Sequence, residues 1–146
     1  MGAFSYEVTA QSRASPDTVF AILADGARWR DWAGALIRHS SWEREGTPPP
    51  GGVGAVRKLG SWPLYGREEI VEYEPPTRLA YTILSGQPIR NYRAIVQLAA
   101  QDGGTAIRWT ATFDPKIPGT GKLLSRYFSA IIGGFANRLA KRAEQS

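Results

Sequence analysis

The side chains of this chain able to act on or hold another molecule are few, and their spacing removes most familiar chemistries. It has no cysteine, which excludes a thiolate nucleophile, a thiolate metal site and a disulfide, and a single histidine, His39, which disfavours a zinc site and a histidine-based triad. No metal or cofactor is expected. Glu68 and Glu69 are adjacent carboxylates, but neighbouring strand residues point to opposite faces, so the two do not converge as an acid/base pair must. The run Pro118-Gly119-Thr120-Gly121-Lys122-Leu123 imitates a phosphate loop, yet that loop needs glycine where Lys116 stands and Ser or Thr where Leu123 stands. Gly52 and Gly54 begin a dinucleotide-like pattern that Arg57 interrupts at the third glycine position, with no βαβ unit after it. What remains is a set of aromatic and polar side chains whose use depends on which way they face.

The elements that aim them are read from periodicity. Residues 4–11 alternate apolar and polar at Phe4, Tyr6 and Val8, as a half-buried strand does. Ser15-Pro16-Asp17 then supplies an N-cap, a proline at the first helical position and an acid in the first turn of a helix ending near Ala24. Trp29 and Trp32 share one face of a second short helix over 28–33. From Leu36 onward short strands are expected over 35–43, 53–59, 65–73, 78–84, 91–99 and 105–113. The proline-glycine loop 46–52 separates the first two, and Asp102-Gly103 makes the hairpin turn between the last two. After Pro115 and Pro118 a helix begins near Gly119 or Gly121, with Leu124, Phe128, Ile131, Phe135 and Leu139 at helical spacing and Leu123, Tyr127 and Ile132 widening the stripe.

Alternation assigns Ile107, Trp109, Ala111 and Phe113 to the inner face of the last strand. By the same rule Tyr92, Ala94, Val96 and Leu98 point inward, as do Leu79, Tyr81 and Ile83. The strand over 65–73 is undecided between Glu68, Ile70 and Glu72 on one side and Glu69, Val71 and Tyr73 on the other. Gly133-Gly134 lies mid-helix, where each glycine costs about 1 kcal/mol relative to alanine. Close packing of the helix or room for a ligand would explain it, packing being preferred.

Length and charge bound the rest. One domain, 1–146, is the default for 146 residues with 42% hydrophobic and 21% charged residues. No stretch reaches the roughly 18 consecutive apolar residues of a membrane span, and the first residues lack a secretory pattern, so a soluble, cytoplasmic protein is expected. The net charge of +5 comes from scattered cations. The cluster Arg138, Lys141 and Arg142 complements the C-terminal dipole of the last helix, and a nucleic-acid partner is disfavoured.

Four pieces occur in a telling order: Asp25-Gly26-Ala27-Arg28-Trp29-Arg30-Asp31-Trp32, Gly52-Val53-Gly54-Ala55-Val56-Arg57, Glu74-Pro75-Pro76-Thr77-Arg78-Leu79-Ala80-Tyr81, and Gly103-Gly104-Thr105 through Trp109. In that order they resemble the polyketide cyclase/dehydrase and lipid transport family of the START-like, helix-grip superfamily. The resemblance implies an α+β fold: a curved seven-stranded antiparallel sheet around a long C-terminal helix, two short helices after strand 1, and a cavity between sheet and helix. Within that frame the expected ligand-binding residues are Trp29, Trp32, Arg57, Tyr81, Tyr92, Trp109 and Phe128. Each aromatic has plain core as its other reading. Arg57, if inward, needs an acidic partner or a ligand oxygen; otherwise it is an exposed strand arginine. The loops Ser61-Trp62-Pro63-Leu64 and Ser85-Gly86-Gln87-Pro88 look similar to the mouth loops that gate the cavity in hormone-binding relatives, although turn chemistry alone explains their glycine and prolines. Trp62 in a polar loop suggests a lid or a contact surface, a homodimer interface included.

The expected function is binding, transport or sequestration of a small hydrophobic, partly oxygenated ligand such as a lipid or polyketide. An alternative is a polyketide cyclase or dehydratase in which Arg57 with Tyr81 or Tyr92 orients or protonates a carbonyl. A third is a protein or RNA interaction module, toxin-like, using the basic exterior.

Overall fold

The structure, a computed structural model, describes residues 2–146. Strand β1 (Phe4–Ser12) leads into helix α1 (Pro16–Ala24), whose Ser15 cap accepts a hydrogen bond from the Thr18 backbone N–H at 3.3 Å. The second short helix is a 3-10 turn, Gly26–Asp31, set earlier than the spacing of Trp29 and Trp32 implied. Strands β2 (His39–Arg44), β3 (Val56–Ser61), β4 (Leu64–Glu74), β5 (Arg78–Ser85), β6 (Ile89–Gln101) and β7 (Gly104–Pro115) follow, then helix α2 (Gly121–Glu144). All pair antiparallel in one seven-stranded sheet of order β1-β7-β6-β5-β4-β3-β2.

Two strands start later than expected. The residues before His39 are a turn, closed by the Ile37 N–H on the Gly34 carbonyl at 3.1 Å. Val53 does not enter β3 but faces Thr47 in an isolated bridge across the proline-glycine loop. The Asp102-Gly103 turn is as expected: both residues have positive φ, 51° and 79°, the conformation whose twist matches flanking strands. At the start of α2 the Phe4 ring sits against Gly121, where a Cβ would lie 2.3 Å from it and force the ring to move.

The undecided phase of β4 has a physical cause. Ile70 pairs with Tyr81, Glu72 with Ala80 and Tyr73 with Leu79, so Val71 is an extra residue, a β-bulge. Glu68 and Ile70 therefore face the inside before the bulge, and Tyr73, packed on Phe20, faces it afterwards. Neither single alternation describes the whole strand.

The inner face of the sheet is buried at Ile107, Trp109, Ala111, Phe113, Tyr92, Ala94, Val96, Leu98, Leu79 and Tyr81, with Ile83 half-buried. On α2, Phe128, Ile132, Phe135 and Leu139 are buried and Leu124 and Ile131 half-buried. Leu123 and Tyr127 are exposed, so the apolar stripe is narrower at its start than the sequence suggested. The helix packs most closely against β1. Gly133 faces Val8 there, yet a Cβ on it would stand at an ordinary 3.7 Å, and one on Gly134 would meet the movable end of Arg138. Neither glycine lines the cavity described next, and the packing at Gly133 leaves room for a methyl group.

Candidate functional site

With α2 set towards β1, a space of about 260 Å³ is left between the helix and the β3–β5 side of the sheet. Its walls are apolar at Leu59, Ile83, Phe128, Ile131, Ile132 and Phe135, and polar at Glu68, Tyr81 and Tyr92. Leu36, Leu64, Gln87 and Tyr127 stand around it, Leu64 being 80% exposed. Trp62, in the β3–β4 turn, is 84% exposed and is not part of the lining.

Of the residues singled out from the sequence, Trp29, Tyr81, Tyr92 and Phe128 line this space. Trp32, Arg57 and Trp109 do not. Trp109 lies behind the wall, edge-on to Tyr81, donating from its indole Nε1 to the Tyr81 hydroxyl at 3.2 Å. Trp32 packs against Trp29 with the rings tilted by 49° and centroids 4.7 Å apart, and its buried indole N–H has no acceptor among the described residues. Trp29 is fixed by its own Nε1, which donates to the Leu23 carbonyl at 2.9 Å at the end of α1.

Arg57 is the largest polar side chain in the core, with no exposed surface. Across the β3–β4 hairpin it stands opposite Glu68, donating from Nε to Oε1 at 2.9 Å, with Nη2 also 2.9 Å from that oxygen. The guanidinium carbon lies 4.5 Å from the Trp29 ring centre and 4.8 Å from that of Tyr81. Neither Nη1 nor Nη2 makes a hydrogen bond among the described residues; Nη2 meets Glu68 as an ion pair, and the two ring faces flank the guanidinium as cation–π partners. The charge of Arg57 is thus balanced within the protein by an acid and flanked by two rings, while only its Nε completes a hydrogen bond.

Glu68 is the residue that sequence reading did not single out. Its side chain is 17% exposed and lines the cavity, and among the described residues nothing donates to its Oε2. Burial raises its carboxyl above the ordinary range, against the opposing pull of Arg57. The phenols nearby are held neutral: burial, with the negative charge of Glu68 adding to it, raises Tyr81, and burial likewise raises Tyr6 and Tyr92. The Tyr6 and Tyr92 hydroxyls share a hydrogen bond. Trp109 donates to the Tyr81 oxygen, so the Tyr81 O–H acts as a donor, with the neighbouring Tyr92 and Tyr6 hydroxyls as well as the cavity on its side. Among the described residues no three metal-ligating side chains gather, and no helix is long and apolar enough to cross a membrane.

A curved antiparallel sheet closed on a C-terminal helix with a cavity between them defines the START-like, helix-grip class. The chain superposes on a START superfamily protein from Mycobacterium smegmatis with a TM-score of 0.81 over 98% of this chain and 99% of the other, at 13% identity. A Thermobifida fusca protein solved in solution gives a TM-score of 0.74 over 97% and 93% at 25% identity. Residues 3–144 match the polyketide cyclase / dehydrase and lipid transport family, and the chain belongs to it. An uncharacterized protein of Mycobacterium tuberculosis is 29% identical over 99 residues, covering 66% of this chain and 57% of that protein. The match thus spans little more than half the length of such curated relatives.

Proposed function

We propose that the protein binds a small, hydrophobic, partly oxygenated molecule in the cavity between α2 and the β3–β5 side of the sheet. The observation that carries this reading is the wall itself: about 260 Å³ bounded by aliphatic and aromatic side chains, with a buried carboxyl and two neutral phenols set into it. Family membership supports the same class of ligand. The cyclase or dehydratase alternative draws less support, since Arg57 is held by Glu68 and does not line the cavity.

Ligand binding stabilises the folded state by mass action. A panel of lipids and polyketide-like aromatics, screened by thermal unfolding, is expected to contain molecules that raise the melting temperature in a concentration-dependent way. Ile131→Trp, which fills the space from the helix side, is expected to keep the far-ultraviolet circular dichroism of the native fold and abolish those shifts. A flat response across the panel, or shifts that Ile131→Trp leaves unchanged, would sink the reading.

A further inference from the structure

The cavity presents two unlike polar groups, and the pairing between them decides what they can recognise. Arg57 is the cation that would hold a carboxylate ligand, but it does not line the cavity: its Nε donates to Glu68 Oε1 and its guanidinium lies between the Trp29 and Tyr81 rings. With no exposed surface, Arg57 meets a ligand anion only if the Trp29, Tyr81 and Glu68 side chains around it move apart. The group that does line the cavity is Glu68 itself, an acceptor through Oε2. The Tyr81 hydroxyl, already accepting from Trp109, offers a proton. An acceptor and a donor on one wall match a group that both gives and takes a hydrogen bond while carrying no charge.

Resting on the cavity as the binding site, we infer that the ligand is a neutral alcohol or phenol read by Glu68, and that carboxylates are excluded. A ligand hydroxyl donates to Glu68 Oε2 and accepts from the Tyr81 O–H. An ether can only accept, so it leaves Glu68 Oε2 dry and unpaired. A carboxylate brings a second negative charge against Glu68 in a site of low polarity, where like charges repel strongly.

The test uses three probes with one apolar body: 2-naphthol, 2-methoxynaphthalene and 2-naphthoate, titrated calorimetrically into the full chain and into Glu68→Gln. In the wild type 2-naphthol is expected to bind about tenfold or more tighter than the methyl ether, the scale set by one hydrogen bond to a charged acceptor, and 2-naphthoate weakest of all. Glu68→Gln, which keeps an acceptor for Arg57 but removes the charge, is expected to shrink the naphthol preference to within a few-fold and to relieve the penalty on naphthoate. Should Glu68→Gln fail to fold, the wild type alone decides. Acidification through the Glu68 titration turns that carboxyl into a donor and is then expected to erase the preference for 2-naphthol over the ether; the charged or titratable groups about Glu68 are Arg57 of β3, Tyr65 of β4, the phenols of Tyr81, Tyr92 and Tyr6 on the other strands, and Tyr127 of α2. Equal binding of naphthol and ether, or naphthoate as the tightest, overturns the inference while the cavity reading stands. Absence of binding by all three, or binding indifferent to Ile131→Trp, overturns both.

Discussion

Removing the Arg57 guanidinium would strand the Glu68 carboxyl in the core, and truncating one partner of a buried ion pair is costly. Arg57→Ala is expected to lose about 3–5 kcal/mol of unfolding free energy in urea titration. The double variant Arg57→Met with Glu68→Leu is expected to recover most of that loss, because it removes both desolvated charges. The Glu68 carboxyl also couples stability to pH. Its value in the folded protein is raised by burial, so the folded state holds the proton more readily than the unfolded chain does. The stability this group contributes is therefore fully present below the ordinary carboxyl range and is lost as pH rises through the raised folded value. Measured as wild type minus Glu68→Gln, unfolding free energy is expected to fall across that window and level off above it; a difference rising with pH would contradict the burial of this carboxyl. Arg57 itself was legible as a dilemma, needing an acid or a ligand oxygen if inward. Its answer was also within reach, since counting back equally from the turn at Trp62 and Pro63 sets Arg57 opposite Glu68, as observed. The bulge hid this by leaving the phase of β4 undecided.

At the level of elements, α2 separates into a face that holds the fold and an edge that does not. Phe128→Ala removes a ring packed on Tyr6, Tyr92 and Phe113, and a loss of about 3–5 kcal/mol is expected. Leu123→Ala, on the exposed start of the same helix, is expected to change stability by no more than about 0.5 kcal/mol. Gly133→Ala is expected to stabilise by about 0.5–1 kcal/mol in the same titration, because the helix gains propensity and the new methyl meets only Val8 at ordinary distance. A loss on that substitution would mean that the helix and β1 approach more closely than 3.7 Å allows. Strict alternation made β5, β6 and β7 legible, and the Asp102-Gly103 turn fixed how the last two pair. The start of β2, the Thr47–Val53 bridge and the displacement of the 3-10 turn follow from loop contacts that no periodicity encodes.

For the molecule as a whole, closure of the sheet depends on contacts distant in sequence. Strand β1 at the beginning of the chain pairs along its length with β7, and α2 then lies across β1. Loops of that length must close before their contacts stabilise anything, so refolding is expected on the order of milliseconds to seconds rather than microseconds. Stopped-flow tryptophan fluorescence would check it. The class of fold was legible from element order and from the family pieces. The position of the cavity was less so, because it arises from where α2 comes to rest: close to β1, leaving the β3–β5 side uncovered. That placement gives the cavity two different sides. The sheet contributes Glu68, Tyr81 and Tyr92, whereas the helix, beyond Tyr127 near its start, contributes Phe128, Ile131, Ile132 and Phe135. A guest with one oxygenated edge can settle in only one orientation between them. Mirror-image guests would offer that edge differently, so racemic alcohols should emerge from the protein enriched in one enantiomer.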